Sequence, residues 1–390
     1  MITNWQSQNF LTELEGSSDM NKQIIAISSY DSIENVFYSG GGAKAIHEVS
    51  LRLNKKFKVI VITGKYPGSM NTKTIDGIQY YYIGSRINNP QISQLVYQAC
   101  LPLQLYKTKF DLWIESFTPP FSTNCLQLFT KKPVIGLVHM LSAADMVRKY
   151  HLKLFKFIED LGLRTYRNII VTNESSGKQI YSQNRNAKIF VIPNGTEVPQ
   201  KISTVPTFGN VVFLGRLEIN QKGLDLLVGA YSLISGKTKS NLVIAGSGSK
   251  SQLKSLRKYL QDSGISKRVS LIGRVSGKSK KELFDQAVVV VIPSRFETFS
   301  IVALEAMAYA RPIVAFDIPG LRWIPEKAIS RVKEFDETEL SQAIFRIITN
   351  KHSADSMGKN GRKFALDYSW QNIAARYEQV ISRTLNLHGI

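Results

Sequence analysis

The sequence predicts an α/β protein built from two doubly wound parallel-sheet domains in tandem. Three observations support this. Short apolar runs recur along the chain with helical stretches between them, the alternation that produces parallel sheets. Several of these runs are apolar throughout, as in Val288–Ile292, which suits strands covered on both faces. The rhythm stops once, over 191–210 (VIPNGTEVPQKISTVPTFGN), where three prolines and two glycines leave no helical period, and then restarts.

Length and composition agree. A chain of 390 residues can bury two cores, and 43% hydrophobic with 21% charged residues is ordinary for a globular protein. No apolar run approaches the ~18 residues of a membrane-spanning helix. The start, MITNWQSQNFLTELEGSSDMNK, has no basic region followed by an apolar block, so no signal peptide is expected. Cys100 and Cys125 form neither a disulfide framework nor a metal pattern and read as thiols in a reducing cytosol. The net charge of +20 is unusual. Residues 1–200 hold 22 Lys and Arg against 14 Asp and Glu, and residues 201–390 hold 28 against 16, so the excess is not one tail. Such a surface suits phosphorylated small molecules, an anionic membrane or simple solubility. No nucleic-acid-binding motif accompanies it, and no nucleic-acid partner is expected.

In the first half, residues 1–20 read as loosely ordered. The first strand is Lys22–Ser28, followed by the turn Ser39-Gly40-Gly41-Gly42-Ala43 and a helix, AKAIHEVSLRLNK. A Gly-rich turn between strand and helix lets backbone approach a ligand, though it equally reads as a plain tight turn. Further strands are expected at Phe57–Thr63, Ile78–Ile83, Phe110–Glu115, Pro133–His139, Asn168–Thr172 and Lys188–Ile192. His139 falls just past a strand's C-terminal end, the edge where open α/β sheets bind ligands, with Ser142 and Asp145 nearby. Residues 146–167 hold six Lys and Arg, two acids and interleaved Leu, Phe and Ile. They read as a basic amphipathic helix that lies on an anionic bilayer or packs on its own sheet.

In the second half, strands are expected at Asn210–Leu214, Asn241–Ala245, Val269–Ile272, Val288–Ile292, Pro312–Phe316 and Ala328–Val332. The helix after Val288–Ile292 spans Ser300–Ala310 and ends at Arg311-Pro312, because a residue before proline disfavours the helical region. A final amphipathic helix occupies Tyr368–Leu385, with Ser369 as N-cap. Four loops share one sheet edge. Gly215 and Arg216 open the first, with Lys222 beyond, and two cations reaching one point can hold a diphosphate. The second is Gly246-Ser247-Gly248, the third Gly273-Arg274-Val275, and the fourth carries Glu297 with Glu305 in the helix after it.

These loops carry a resemblance. GRLEINQKG, IAGSGS, IGRVS and PSRFETFSIVALE follow the order and spacing of the donor-binding half of retaining glycosyltransferases of family GT4, including its pair of glutamates seven residues apart. SGGGAKAIHEVS and VIPNG are similar to that family's elements in the first half, and the final helix resembles the segment that crosses back onto the first domain. The resemblance implies the GT-B fold: an acceptor-side domain over 1–200, a donor domain over 201–367, and a crossing helix over 368–390. It implies a UDP- or GDP-linked sugar as co-substrate with no other cofactor, a glycan or lipid-linked acceptor, and transfer with retention and without metal. No Asp-x-Asp occurs anywhere in the chain.

By resemblance, Arg216 and Lys222 hold the diphosphate, Glu297 the transferred sugar and Glu305 the ribose. Backbone N–H groups of Phe299 and Ser300 meet phosphate or sugar oxygens. Gly215 shapes the phosphate loop, Arg274 and Val275 lie near the base, Gly41 and Gly42 face the diphosphate, and His139 points at the sugar. Thr298 and Ser300 stand where many relatives have glycine, which bears on sugar choice. A cytoplasmic location is expected, and the net charge of +20 with the basic amphipathic stretch over 146–167 adds the option of a peripheral contact on the inner face of the membrane. Two other readings fit the same fold: a sugar-nucleotide epimerase, and a non-catalytic nucleotide-sugar or membrane-binding module.

Overall fold

A computed structural model describes residues 22–38, 40–139 and 141–389; the expected loose segment 1–20 and Ser39 of the Gly-rich turn lie outside the described residues. The first domain runs β1 (Ile24–Ser29), α1 (Gly41–Leu53), β2 (Lys58–Gly64), β3 (Thr72–Ile75), β4 (Ile78–Ile83), α2 (Pro90–Lys107), β5 (Leu112–Ser116), β6 (Val134–Val138), α3 (Ala143–Tyr150), α4 (Leu154–Leu163), β7 (Asn168–Val171), α5 (Glu174–Gln183) and β8 (Lys188–Val191). Its strands order as β3-β4-β2-β1-β5-β6-β7-β8, all parallel except β3 against β4. The inner strands are covered on both faces, which explains their unbroken apolar runs.

Two features depart from the sequence reading. The edge strand β3 was not expected, because Thr72–Ile75 is mostly polar and exposed. Its signal is Asp76-Gly77, both at positive φ (49° and 79°), the mirror-image turn that two-residue hairpins require. The single helix expected over 146–167 is two helices: α3 ends at His151 in the left-handed region (φ 56°), and α4 starts afresh at Leu154.

The second domain runs β9 (Asn210–Leu214), α6 (Ile219–Lys222), α7 (Leu224–Ser235), β10 (Leu242–Ala245), α8 (Lys250–Asp262), β11 (Val269–Gly273), α9 (Gly277–Asp285), β12 (Ala287–Ile292), α10 (Ile301–Ala308), β13 (Ile313–Phe316), β14 (Ser330–Val332), α11 (Glu337–Thr349) and α12 (Lys351–Ala365). Its parallel sheet orders as β11-β10-β9-β12-β13-β14. The valine-rich β12 lies near the middle and is buried along its whole length. Arg311, fully buried after α10, donates to the carbonyls of Ser203, Thr204 and Tyr309 and so ties the interdomain segment to this core.

The last helix, α13 (Trp370–Asn386), packs on α1 and places Trp370, Ile373 and Ile381 in the core of the first domain. Ser369 caps it, accepting from the Asn372 N–H at 3.2 Å. The chain crosses back at Gly195, where a Cβ would come 2.5 Å from the Trp370 ring. The glycine of VIPNG is there because the indole lies on its backbone.

Candidate active site

The C-terminal ends of both sheets face one cleft, and the loops on the second domain are held by backbone contacts that only glycine permits. Gly223 ends α6 at φ 62°, and a Cβ there would lie 1.9 Å from the Pro293 carbonyl oxygen. Gly246 carries φ 150° and would meet the Gly215 oxygen at 1.7 Å; its N–H donates to the Gly273 oxygen at 2.7 Å. The loops after β9, β10, β11 and β12 are therefore one packed unit. Arg295 adds a clamp that the sequence reading missed. It donates to both Asp225 oxygens at 2.8 and 2.7 Å, and its N–H reaches the Gln221 oxygen at 2.9 Å.

This packing delivers Lys222 to Glu297. The Lys222 Nζ lies 2.7 Å from the Glu297 Oε1, and the side chains are 16% and 11% exposed. Ser294 Oγ donates to the same oxygen at 2.8 Å. Arg216, expected to converge with Lys222 on one point, takes different partners: Gln221 Oε1 and Glu218 Oε2, both at 3.2 Å, with its side chain mostly in solvent. Gly215 lies beside it at the end of β9 and donates its N–H to the Ala245 oxygen.

Glu305, buried in α10, meets two lysines. Lys280 Nζ from α9 lies 2.7 Å from its Oε1, and Lys44 Nζ from α1 lies 3.2 Å from the same atom. Neither lysine was singled out from the sequence. Lys280 sits in an ordinary-looking KSKK run, and Lys44 belongs to the other domain. Burial opposes the charge on Lys44, but the Glu305 carboxylate outweighs it and raises the ammonium above its ordinary value.

The remaining expected residues divide. Ser300 caps α10, its Oγ accepting from the Ala303 N–H at 3.3 Å, so the hydroxyl has a structural use. Phe299 stacks on Trp323, ring centroids 4.3 Å apart, and its side chain is buried in the second core. The Thr298 carbonyl accepts from Asn173 Nδ2 at 3.2 Å, a contact across the cleft. Arg274 is exposed, and Val275 packs on the second core. Gly41 and Gly42 open α1 with Gly40 as N-cap. A Cβ on Gly41 would come 2.6 Å from Ile301 Cδ1, and one on Gly42 would come 3.7 Å from His139 Cδ2. Gly41 thus lets the first domain sit directly on the start of α10, while Gly42 makes ordinary contact with His139 of its own domain.

His139 follows β6 at this junction. Neither ring nitrogen reaches solvent or has a hydrogen-bond partner among the described residues, and burial pushes its pKa down to about 4. A neutral imidazole with both nitrogens unsatisfied is rare and needs a polar group beside it. The loop behind it is anchored by buried Glu159 of α4, whose Oε2 accepts from the Ala143 N–H at 3.0 Å and from Ser122 Oγ at 2.5 Å. Among the described residues, no three His, Cys, Asp or Glu side chains group to hold a metal.

Known proteins match on both halves. Residues 209–350 match the family described as Glycosyl transferases group 1, and residues 39–198 match Glycosyltransferase Family 4. An uncharacterized glycosyltransferase of Methanocaldococcus jannaschii is 33% identical over 186 residues, covering 46% of this chain and 46% of that protein. The chain spans about half the length of the curated relatives it matches. Sucrose-phosphate synthase from Thermosynechococcus elongatus superposes with a TM-score of 0.78 at 20% identity, over 94% of this chain and all of that one. Anabaena HepE, solved in complex with UDP-glucose, superposes with a TM-score of 0.71 at 15% identity, over 92% of this chain and 99% of that one. At these identities the two structures establish a shared fold.

Proposed function

We propose that this chain, whose two halves match the Glycosyl transferases group 1 and Glycosyltransferase Family 4 families, is a glycosyltransferase that moves a sugar from a UDP- or GDP-linked donor to a glycan or lipid-linked acceptor, with retention and without a metal ion. The observation that carries this reading is the Lys222–Glu297 pair, formed between the end of α6 and the loop before α10, with the buried ring of His139, unpartnered among the described residues, on the first domain. Lys222 is a nearly buried cation where a departing diphosphate gathers charge, and Arg216 adds a solvent-facing one. Glu297 and His139 accept or donate hydrogen bonds to sugar hydroxyls, and Glu305 accepts from the ribose. The C1–O bond to phosphate breaks, the acceptor oxygen attacks from the same face, and the leaving phosphate oxygen takes the acceptor's proton.

The same reading places the enzyme at the cytoplasmic face of a membrane. No described helix is long and apolar enough to cross one. The surface of α4 supports a peripheral contact: Leu154, Phe157 and Leu161 recur at helical spacing and are 54–65% exposed, Leu152 precedes them, and Lys153 and Arg164 flank them.

Nucleotide release from UDP- and GDP-sugars, measured with candidate glycans and lipid-linked sugars, tests the enzyme reading. Release by the wild type that is lost in Lys222→Ala is expected. A wild type that releases no nucleotide from any donor with any acceptor overturns it.

A further inference from the structure

Glu305 is 7% exposed, and burying a carboxylate is costly unless opposite charge or hydrogen bonds offset it. One lysine suffices for that, yet two are present, and both ammoniums contact the same oxygen. Lys280 at 2.7 Å and Lys44 at 3.2 Å both meet Oε1, while among the described residues Oε2 takes no hydrogen bond. The two lysines therefore orient the carboxylate and leave its second oxygen available to an incoming hydroxyl.

The two lysines differ in origin. Lys280 shares a domain with Glu305. Lys44 stands on α1, 261 residues away in sequence, and reaches across the cleft. Its position is fixed by close packing, because α1 begins at Gly41 against Ile301, and Asn173 holds the Thr298 carbonyl beside it. If the cleft opens, Lys280 stays with Glu305 and Lys44 departs.

We propose that Lys44 is a positioning residue of the nucleotide site: it holds Glu305 from the opposite domain, so that the ribose-binding carboxylate is complete only when the cleft is closed. This rests on the nucleotide-sugar reading above. Nucleotide binding is thereby coupled to closure through a side chain that need not touch the nucleotide.

Calorimetric binding of UDP and GDP to wild type, Lys44→Met, Lys44→Arg, Glu305→Gln and Lys44→Met/Glu305→Gln tests this. Lys44→Met is expected to weaken the preferred nucleotide about tenfold, with Lys44→Arg recovering most of the loss. In the Glu305→Gln background the Lys44→Met change is expected to cost less than twofold, since its only route is through that carboxylate. Small-angle scattering is expected to show nucleotide-induced compaction in the wild type and less of it in Lys44→Met. Equal affinity of wild type and Lys44→Met, or losses that multiply in the double variant, overturns the proposal and leaves the donor reading intact. A wild type that binds neither nucleotide overturns both.

Discussion

Replacing Lys222 by alanine separates the two things its ammonium does. Toward the reaction, it is a cation held where negative charge develops on a leaving diphosphate. At about 4 Å and an effective dielectric of about 20, one such charge is worth about 4 kcal/mol. That is about a thousandfold in rate, at roughly 1.4 kcal/mol for each factor of ten. Toward the fold, it neutralises Glu297, which is 11% exposed and keeps only the Ser294 hydroxyl once the 2.7 Å partner is gone. Leaving one member of such a pair unpaired costs about 3 kcal/mol, or a fall in Tm of roughly 6–12 °C for a domain of this size. Adding Glu297→Gln removes the stranded charge. The double variant is expected to regain most of the lost Tm while remaining inactive. The assay is donor-dependent nucleotide release, read as kcat/KM, beside a thermal melt of each variant. A Lys222→Ala enzyme that melts normally and loses less than tenfold in kcat/KM would refute the assignment of leaving-group stabilisation to this residue.

Further expectations concern the other half of the cleft and the surface. The pKa of His139 in the folded protein, about 4, lies below its ordinary 6.5, so the unfolded chain takes up the proton first. The stability this contributes is complete above pH 6.5 and is lost as pH falls toward 4, roughly 3 kcal/mol in all; melts from pH 7.5 to 4.5 are expected to fall less steeply for His139→Phe than for wild type. Gly41→Val places a branched side chain where a Cβ already comes 2.6 Å from Ile301 Cδ1, and donor KM is expected to rise at least about tenfold, with recovery in Gly41→Val/Ile301→Ala. An unchanged KM counts against the closed junction being the working state. Wild-type protein is expected to sediment with vesicles containing anionic lipid and not with neutral ones, and Leu154→Asp/Phe157→Glu to stay in the supernatant with unchanged nucleotide release from a soluble acceptor. Equal binding to both vesicle types rules out the electrostatic form of the membrane contact.

Most strands were readable because each buried strand announces itself within a few residues. The expected span Asn210–Leu214 is that of β9, and Ile78–Ile83 is that of β4. The misses have local causes. The edge strand β3 is polar because one side faces water, so only its Asp76-Gly77 turn betrays it. The break at His151 was hidden because basic and apolar residues continue across it, and a left-handed histidine leaves no compositional mark. At the site, the two glutamates, Lys222 and the glycine turns could be picked out in the chain, since they are spaced by the loops and one helix that carry them. Arg216 was legible as a residue but not in its placement, because its solvent-facing side chain settles on Gln221 and Glu218 of its own loop.

What the sequence alone determined is what short-range chemistry encodes: which segments are buried on both faces, where glycine is needed for a turn, and where a helix begins beside an acid. Which cation meets which acid was left to the tertiary structure. Lys222 and Glu297 are 75 residues apart, and Lys44 and Glu305 are 261 apart. The Gly-rich turn before Lys44 stands out in the chain, but nothing there pairs its ammonium with Glu305. This lysine becomes part of the site because α1 begins on glycine, glycine lets the first domain rest on α10, and that contact brings an ammonium to a carboxylate of the other domain. Charge pairing falls off within a few ångströms in a partly solvated cleft, so its pattern is set by the fold that creates those distances.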